Sequence, residues 1–420
     1  MIASRETVLS LAYRIGTIGL SFASVSLLIR VLGADRYGAW ATLVSGLVWI
    51  QMSDLGIGYV IKNRVAAREN QEVLLGHIAD AFRLSLAIGL ALAILLVWVG
   101  PLLSIVRDFP LESAVLYGAA LLCLPAMVAV NVLQGLGQST VPFMATMLQN
   151  LAWLVFVYSA EPGTSIQSLS IVMALLWTLS AAYVCFRAWC GLKFNPRMFV
   201  TRLVRRPCWI EARPLLQVGL SFFLLQMTGL VLFNLGTYLA YTWFSADAAA
   251  RYDILNKIFL VPITLFNVVI AVAWSAIASG ISQRNHAAVH RVQMNLLITC
   301  CAGGALLLGV AMVAVPPFIR LYSHGAVNAT SSDVFWFAAL AAVQMFAYSG
   351  AVFMNAVERL RIQIAFAAVS MTAFVPLFFA LAGTELGIAS IPLATLIAIL
   401  PGAVFFNYYA RRHIVSAVAQ

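Results

Sequence analysis

Charge is what this sequence has least of. Asp, Glu, Lys and Arg make up 10% of its 420 residues, against 63% hydrophobic residues. A soluble domain carries about a quarter charged residues, so a chain this poor in charge has no polar coat for a globule of its size. Spread over the whole length, the apolar excess implies many membrane spans rather than one anchor. Catalytic signatures are missing too. No Gly-x-x-x-x-Gly-Lys-Ser/Thr loop occurs, and Gly135-Leu136-Gly137 lacks the following lysine, which disfavours ATP hydrolysis. His286 and His290 have the spacing of helical metal ligands, but Ala287 stands where a metalloprotease needs its glutamate, so a loop or helix start explains them better. Carboxylates do not pair in any obvious way, and the loops on the outer face are short. No enzymatic activity, cofactor or metal is expected.

Cysteine is also sparse. Cys123, Cys185, Cys190, Cys208, Cys300 and Cys301 all fall within spans or in a cytoplasmic loop, out of reach of an oxidising compartment, so no disulfide is expected. Adjacent Cys300 and Cys301 have no recognisable metal spacing. A removable leader is not apparent: the first apolar stretch carries Arg14, runs to about Leu32 and lacks a small-residue cleavage site, so it reads as a retained first span. The net charge of +10 would suggest nucleic acid in a soluble protein. In a membrane protein it suggests basic loops on the cytoplasmic face, against anionic lipids, and no nucleic-acid partner.

What is present is a set of charge-free runs of about 20 residues, the length that crosses the hydrocarbon core. They place spans near 8–32, 37–61, 82–106, 112–134, 142–160, 165–189, 214–244, 252–279, 292–321, 333–356, 362–382 and 386–410. The stretch from Ser113 to Ala160 contains no charge and is too long for one helix; the turn signal from Gln134 to Pro142 divides it. The distribution of basic residues supports this map. With the N-terminus inside, eighteen Lys and Arg residues fall on the cytoplasmic side, five outside or at outer helix ends, and Arg14 and Lys257 within spans. A missed or added helix would scramble that bias. Both termini are therefore expected in the cytoplasm, and the fold class is all-α and polytopic, with about twelve transmembrane helices.

The longest basic loop falls in the middle, predicting an N-terminal six-helix bundle over 1–189, a linker over 190–213 and a C-terminal six-helix bundle over 214–420. A weak internal repeat agrees: Gly33-Ala34-Asp35-Arg36-Tyr37 after the first span echoes Ser245-Ala246-Asp247 and Arg251-Tyr252 after the seventh. Aligning the two Ala-Asp pairs sets Arg14 opposite Gln226. Two halves around a central site is a common transporter plan.

Polar residues are expensive in lipid, so their arrangement is informative. Ser10, Arg14, Thr17, Ser21 and Ser24 recur at three- and four-residue steps and share one face of the first span. The eighth span carries Lys257, Thr264, Asn267 and Trp274, with Pro262 available to kink it. The fifth carries Thr146, Gln149, Asn150 and Trp153, the seventh Gln217, Ser221 and Thr228, and the tenth Gln344, Tyr348 and Asn355. Small polar residues also serve plain helix packing, and for the Ser and Thr positions that reading stands beside the functional one. A cation near the bilayer centre costs about 2.5–3.5 kcal/mol even on mild scales, so Arg14 is expected to face an aqueous lumen. Lys257 has two readings, a lumen cation or an i,i+4 ion pair with Asp253. Asp54, near the inner end of the second span, is either a coupling-ion or proton site or an interfacial helix-end charge.

The segment Leu28-Ile29-Arg30-Val31-Leu32-Gly33-Ala34-Asp35-Arg36-Tyr37-Gly38-Ala39-Trp40 resembles a recurrent signature of Wzx-type polysaccharide flippases. So does Asp54-Leu55-Gly56-Ile57-Gly58, followed by Lys62 and Arg64. These flippases belong to the multidrug/oligosaccharidyl-lipid/polysaccharide exporter superfamily, with the multidrug and toxin extrusion (MATE) exporters and the lipid II flippases. The motif-like match covers about the first seventy residues; the rest agrees in span count and halved layout. The resemblance implies a MATE-like architecture in the bacterial inner membrane, and translocation of an undecaprenyl-pyrophosphate-linked oligosaccharide by alternating access. A polysaccharide polymerase and glycosyltransferases would be its partners, for O-antigen, capsule or exopolysaccharide. Within that reading Arg14, Thr17, Ser21, Lys257, Asn267, Gln226, Asn150 and Trp153 are the candidate lumen residues, the basic pair for the pyrophosphate and the rest for sugars, with Asp54 as a coupling-ion candidate.

Two other classes stay in view. A drug exporter of the same superfamily would want acidic residues deep in the bundle, whereas the clearest intramembrane charges are positive. A membrane-embedded glycan polymerase or transferase should carry a long outer loop or a clustered catalytic constellation.

Overall fold

The structure, a computed structural model, describes residues 5–54, 56–66, 71–192, 223, 227–357 and 359–418. Among these, every regular element is helical. Among the described residues nine helices are long and apolar enough to cross a membrane, and a tenth span is formed if the bent pair Pro110–Leu122 and Leu124–Gly135 is counted as one. The chain is a multi-pass membrane protein. Ten of the twelve predicted spans coincide with these helices. The second is broken in two, and the seventh begins outside the described residues, as do the linker from residue 193 onward, Cys208, Gln217, Ser221 and Gln226.

The chain divides into two compact units, Met1–Met227 and Thr228–Gln420. The first contains α1 (Arg5–Leu32), α2 (Ala34–Gln51), α3 (Ile57–Ala66), α4 (Gln71–Val99), α5 (Ser104–Asp108), α6 (Pro110–Leu122), α7 (Leu124–Gly135), α8 (Thr140–Ser159) and α9 (Ile166–Leu192). The second contains α10 (Gly236–Trp243), α11 (Ala246–Ser282), α12 (His286–Tyr322), α13 (Ser331–Ala356), α14 (Leu360–Ala382) and α15 (Ser390–Val418).

The helix ends follow local chemistry. Ser245 accepts a hydrogen bond from the Ala248 amide at 3.0 Å and starts α11; Asn285 does the same for Ala288 at the start of α12. Thr330 and Asp333 form a reciprocal capping box at α13. Each such cap replaces an amide's lost intrahelical partner and is worth about 1 kcal/mol. Gly137, with φ of 77°, turns the chain between α7 and α8 inside the predicted Gln134–Pro142 turn. His286 and His290 lie in the first turns of α12.

Two predicted spans are interrupted, and the reasons are local. The second stops at Gln51 and resumes at Ile57. In the gap Gly56 takes φ of 70°, its amide donates to Asp54 Oδ1 at 3.0 Å, and the Ile57 amide donates to the Asp54 carbonyl at 3.1 Å. The fourth bends by 40° at Cys123, beside Pro125, which has no amide hydrogen to give.

In the first unit α1 packs along α8, α3 against α7, and α9 against α6, α7 and α8. Its core is built from stripes at helical spacing: Ile57, Ile61 and Val65 of α3, Leu74 and Ile78 of α4, Val128 and Val132 of α7, Val184 and Ala188 of α9. In the second unit α13 is central, touching α11, α12 and α15. Exposure reverses the soluble rule. Leu90, Ile94, Val97 and Trp98 of α4, and Leu306, Val310 and Val313 of α12, present large apolar side chains outward, as helices facing lipid do. Only 11% of the α4 span is buried, against 61% of the α15 span.

Candidate functional site

The polar stripe of α1 separates in the structure into groups with partners inside the helix and groups without. The Thr17 hydroxyl donates to the Tyr13 carbonyl and the Ser24 hydroxyl to the Leu20 carbonyl, each at 2.8 Å. These bonds are the usual way a helix absorbs a hydroxyl in lipid. Arg14 is different. Its guanidinium carbon stands 4.3 Å from the centre of the Phe143 ring on α8, a cation–π contact. Helix α1 can present it there because α1 and α8 pack along each other.

Arg14 opens onto a cavity of about 520 Å³. Glu6 and Ser10 line it from α1, Lys62 from α3, and Gln134, Ser139 and Phe143 from the end of α7 and the start of α8. Among the described residues neither Arg14 nor Lys62 takes part in an ion pair, and the buried Ser10 hydroxyl has no hydrogen-bond partner. The one carboxylate, Glu6, accepts from the Thr140 hydroxyl at 2.8 Å. The cavity therefore offers two cations and an unused hydroxyl, the equipment for a multiply charged anion. A guanidinium can grip phosphate oxygens in a bidentate fork, and an ammonium adds a compact charge beside it.

The other predicted residues fall elsewhere. Lys257 donates to Asp253 Oδ2 at 2.5 Å on α11, so the ion-pair alternative describes its geometry. Asn267 is exposed on the same helix of the second unit, and Gln226 lies outside the described residues. On α8 the Asn150 amide donates to the Thr146 carbonyl at 2.9 Å. Trp153 is 3% exposed and stacks on Trp40 at 5.5 Å, joining α8 to α2 as a packing residue; this leaves its faces little room for a ligand. Ser21 stays on α1, half-buried. Asp54 is buried at the gap between α2 and α3, where it caps α3.

Sequence reasoning placed Lys62 in a cytoplasmic loop. The signal that would have kept it in the bundle is Gly56-Ile57-Gly58, a helix break that starts α3 early enough to carry Lys62 to the cavity wall.

No family model matches the sequence, and no curated protein is detectably similar to it. The fold does have relatives among solved structures. One, described as the inward-facing conformation of a multidrug resistance MATE family transporter of the MOP superfamily, matches with a TM-score of 0.76 over 98% of this chain and 99% of that one, at 14% identity. The lipid II flippase MurJ, in an inward closed conformation, matches with a TM-score of 0.71 over 96% of this chain and 87% of that one, at 13% identity. A MATE protein in a bent conformation matches with a TM-score of 0.63 over 99% and 96%, at 15% identity. The chain thus has the fold that MATE transporters share with MurJ.

Proposed function

We propose that this chain is a flippase that carries an undecaprenyl-pyrophosphate-linked oligosaccharide across the bacterial inner membrane for surface polysaccharide synthesis. The observation that carries the reading is the cavity where Arg14 and Lys62, among the described residues neither in an ion pair, line one open space between α1, α3 and the α7–α8 turn. Cations are costly in such a place and persist where an anionic ligand offsets the cost. A pyrophosphate cannot cross hydrocarbon without such partners. The fold, shared with a lipid II flippase and with exporters, supports a transport role, and the flippase-like segments around Gly33 and Asp54 favour a lipid-linked glycan over a drug. Movement would follow alternating access, with both termini in the cytoplasm; a polymerase and glycosyltransferases would act on the same glycan. Phosphate chemistry at Arg14 and Lys62 is binding, with no bond made or broken.

The decisive measurement is translocation in proteoliposomes holding the purified chain and a fluorescent undecaprenyl-pyrophosphoryl oligosaccharide. Glycan reaching the far leaflet is read by its protection from a membrane-impermeant glycosidase. Wild-type protein should move the lipid well above empty vesicles. No movement of the lipid, with uptake of an organic cation in its place, would replace this reading with a MATE-type secondary exporter.

A further inference from the structure

A second cavity shares Phe143 with the first. Its volume is about 380 Å³, within the roughly 300–1,000 Å³ of small-ligand sites. Its walls come from the second half of α2, the α6–α7 bend, the first half of α8 and the middle of α9. Phe143 lines both cavities and carries the Arg14 guanidinium on its ring, so the anion-suited space and this deeper pocket meet at one side chain.

The deeper pocket is mostly apolar, yet it holds two side chains that lipid and packing do not account for. Gln51 at the end of α2 and Gln149 on α8 both line it, and among the described residues neither amide has a hydrogen-bond partner. An unpartnered amide among apolar side chains is unfavourable, because they offer nothing to bond. Thr146, by contrast, lines the same wall with its hydroxyl already given to the Pro142 carbonyl at 3.0 Å. The indole of Trp177 completes the wall, with Ser180 one turn along α9. A planar amide offers a donor and an acceptor together, which suits neighbouring hydroxyls on a ring, and an indole face suits the weakly positive C–H edge of a pyranose. No acidic residue lines the pocket, so an organic cation finds no counter-charge there. An isoprenoid chain would gain nothing from two amides.

We propose that this pocket is a carbohydrate subsite: while Arg14 and Lys62 hold the pyrophosphate, the first sugar of the glycan passes Phe143, stacks on Trp177 and bonds to Gln51 and Gln149. The proposal rests on the flippase reading and adds where that glycan is recognised. It also reassigns the aromatic contact from Trp153, which packs on Trp40, to Trp177.

The test uses the purified full chain in lipid nanodiscs and three probes of equal charge. Each is farnesyl pyrophosphate esterified on its terminal phosphate, with a hexose, an N-acetylhexosamine or a methyl group. At least one glycosyl ester should bind about tenfold tighter than the methyl ester, the effect of one or two well-made hydrogen bonds. Gln149→Leu, Gln51→Leu and Trp177→Leu should each shrink that advantage severalfold while the affinity for the methyl ester stays unchanged. Arg14→Ala should weaken all three probes. Unchanged methyl-ester binding also shows that a variant is folded. Equal binding of glycosyl and methyl esters by wild type, or an advantage that survives in Gln149→Leu and Trp177→Leu, overturns the subsite. Tighter methyl-ester binding by the leucine variants overturns it in favour of a lipid-chain pocket. In those cases translocation by wild-type protein would leave the flippase reading standing; absence of translocation would remove that reading itself.

Discussion

Arg14 in the first unit and Lys257 in the second unit are both cations within long apolar stretches, but only Lys257 has a carboxylate, Asp253, one helical turn away in sequence. Arg14 meets an aromatic ring and an open cavity that Lys62 lines from α3. Lys257 meets Asp253 one turn earlier on its own helix. A cation neutralised by its own helix places nearly no field on a ligand, whereas one left without a counter-ion keeps its charge available. The difference teaches that intramembrane charge marks a functional site only when its partner is absent from the fold.

The comparison breaks most sharply in translocation. Arg14→Ala should reduce flipping of the lipid-linked glycan by at least about tenfold, the loss of one charge-assisted phosphate contact of roughly 1.4 kcal/mol or more. Lys257→Met should reduce it by less than about threefold, for want of such a contact. Equal losses in vesicle assays would erase the distinction between the two cations.

A second measurement sharpens it from the side of stability. Asp253 is buried, so Asp253→Asn leaves Lys257 without its carboxylate and should lower the thermal midpoint, at a cost of about 1–3 kcal/mol. Adding Lys257→Met to that variant should recover most of the loss, a coupling that a double-mutant cycle reads directly. Independent, additive effects would mean the pair is not a unit.

Backbone crowding in the second unit gives a comparable effect without charge. A methyl group on Gly350 would stand 2.7 Å from the Asn407 amide nitrogen of α15. Gly350→Ala should therefore force α13 from α15 and destabilise by about 1–3 kcal/mol, seen as earlier melting. The smallest effect belongs to Thr17→Val on α1. Its hydroxyl is satisfied by the Tyr13 carbonyl, so translocation should stay within about twofold of wild type. A large loss there would return Thr17 to the binding site.

Much of the fold was legible because bilayer thickness and charge bias act on stretches of sequence, not on single contacts. The runs that became α4, α8, α9, α11 and the helices after them were visible as apolar length, and the turn before Pro142 as glycine and polar residues. The gap at Asp54 was only half legible: Gly56 and Gly58 signal a break, but a buried aspartate accepting its own downstream amide has the same sequence pattern as an interfacial charge. The site divided along the same line. Arg14 stood out against lipid. Trp153 stood out because it follows Thr146, Gln149 and Asn150 on α8, whereas Trp177 lies in a helix whose periodicity gives no clear inward side. Packing alone sends one ring onto Trp40 and the other to a cavity wall.

The short helix α3 has a consequence for how the protein is made. Ten residues at 1.5 Å each reach about 15 Å, half the hydrocarbon depth, and they include Lys62 and Arg64. Such a segment cannot be captured by the membrane as an independent span. Its apolar face is covered by α7, which emerges from the ribosome some sixty residues later. Until then α3 lacks that cover, and a nascent chain halted before Leu124 should leave Ile61 or Val65, replaced by cysteine, open to water-soluble thiol reagents. That exposure, lost once α7 is made, would show that insertion of this unit is completed out of chain order.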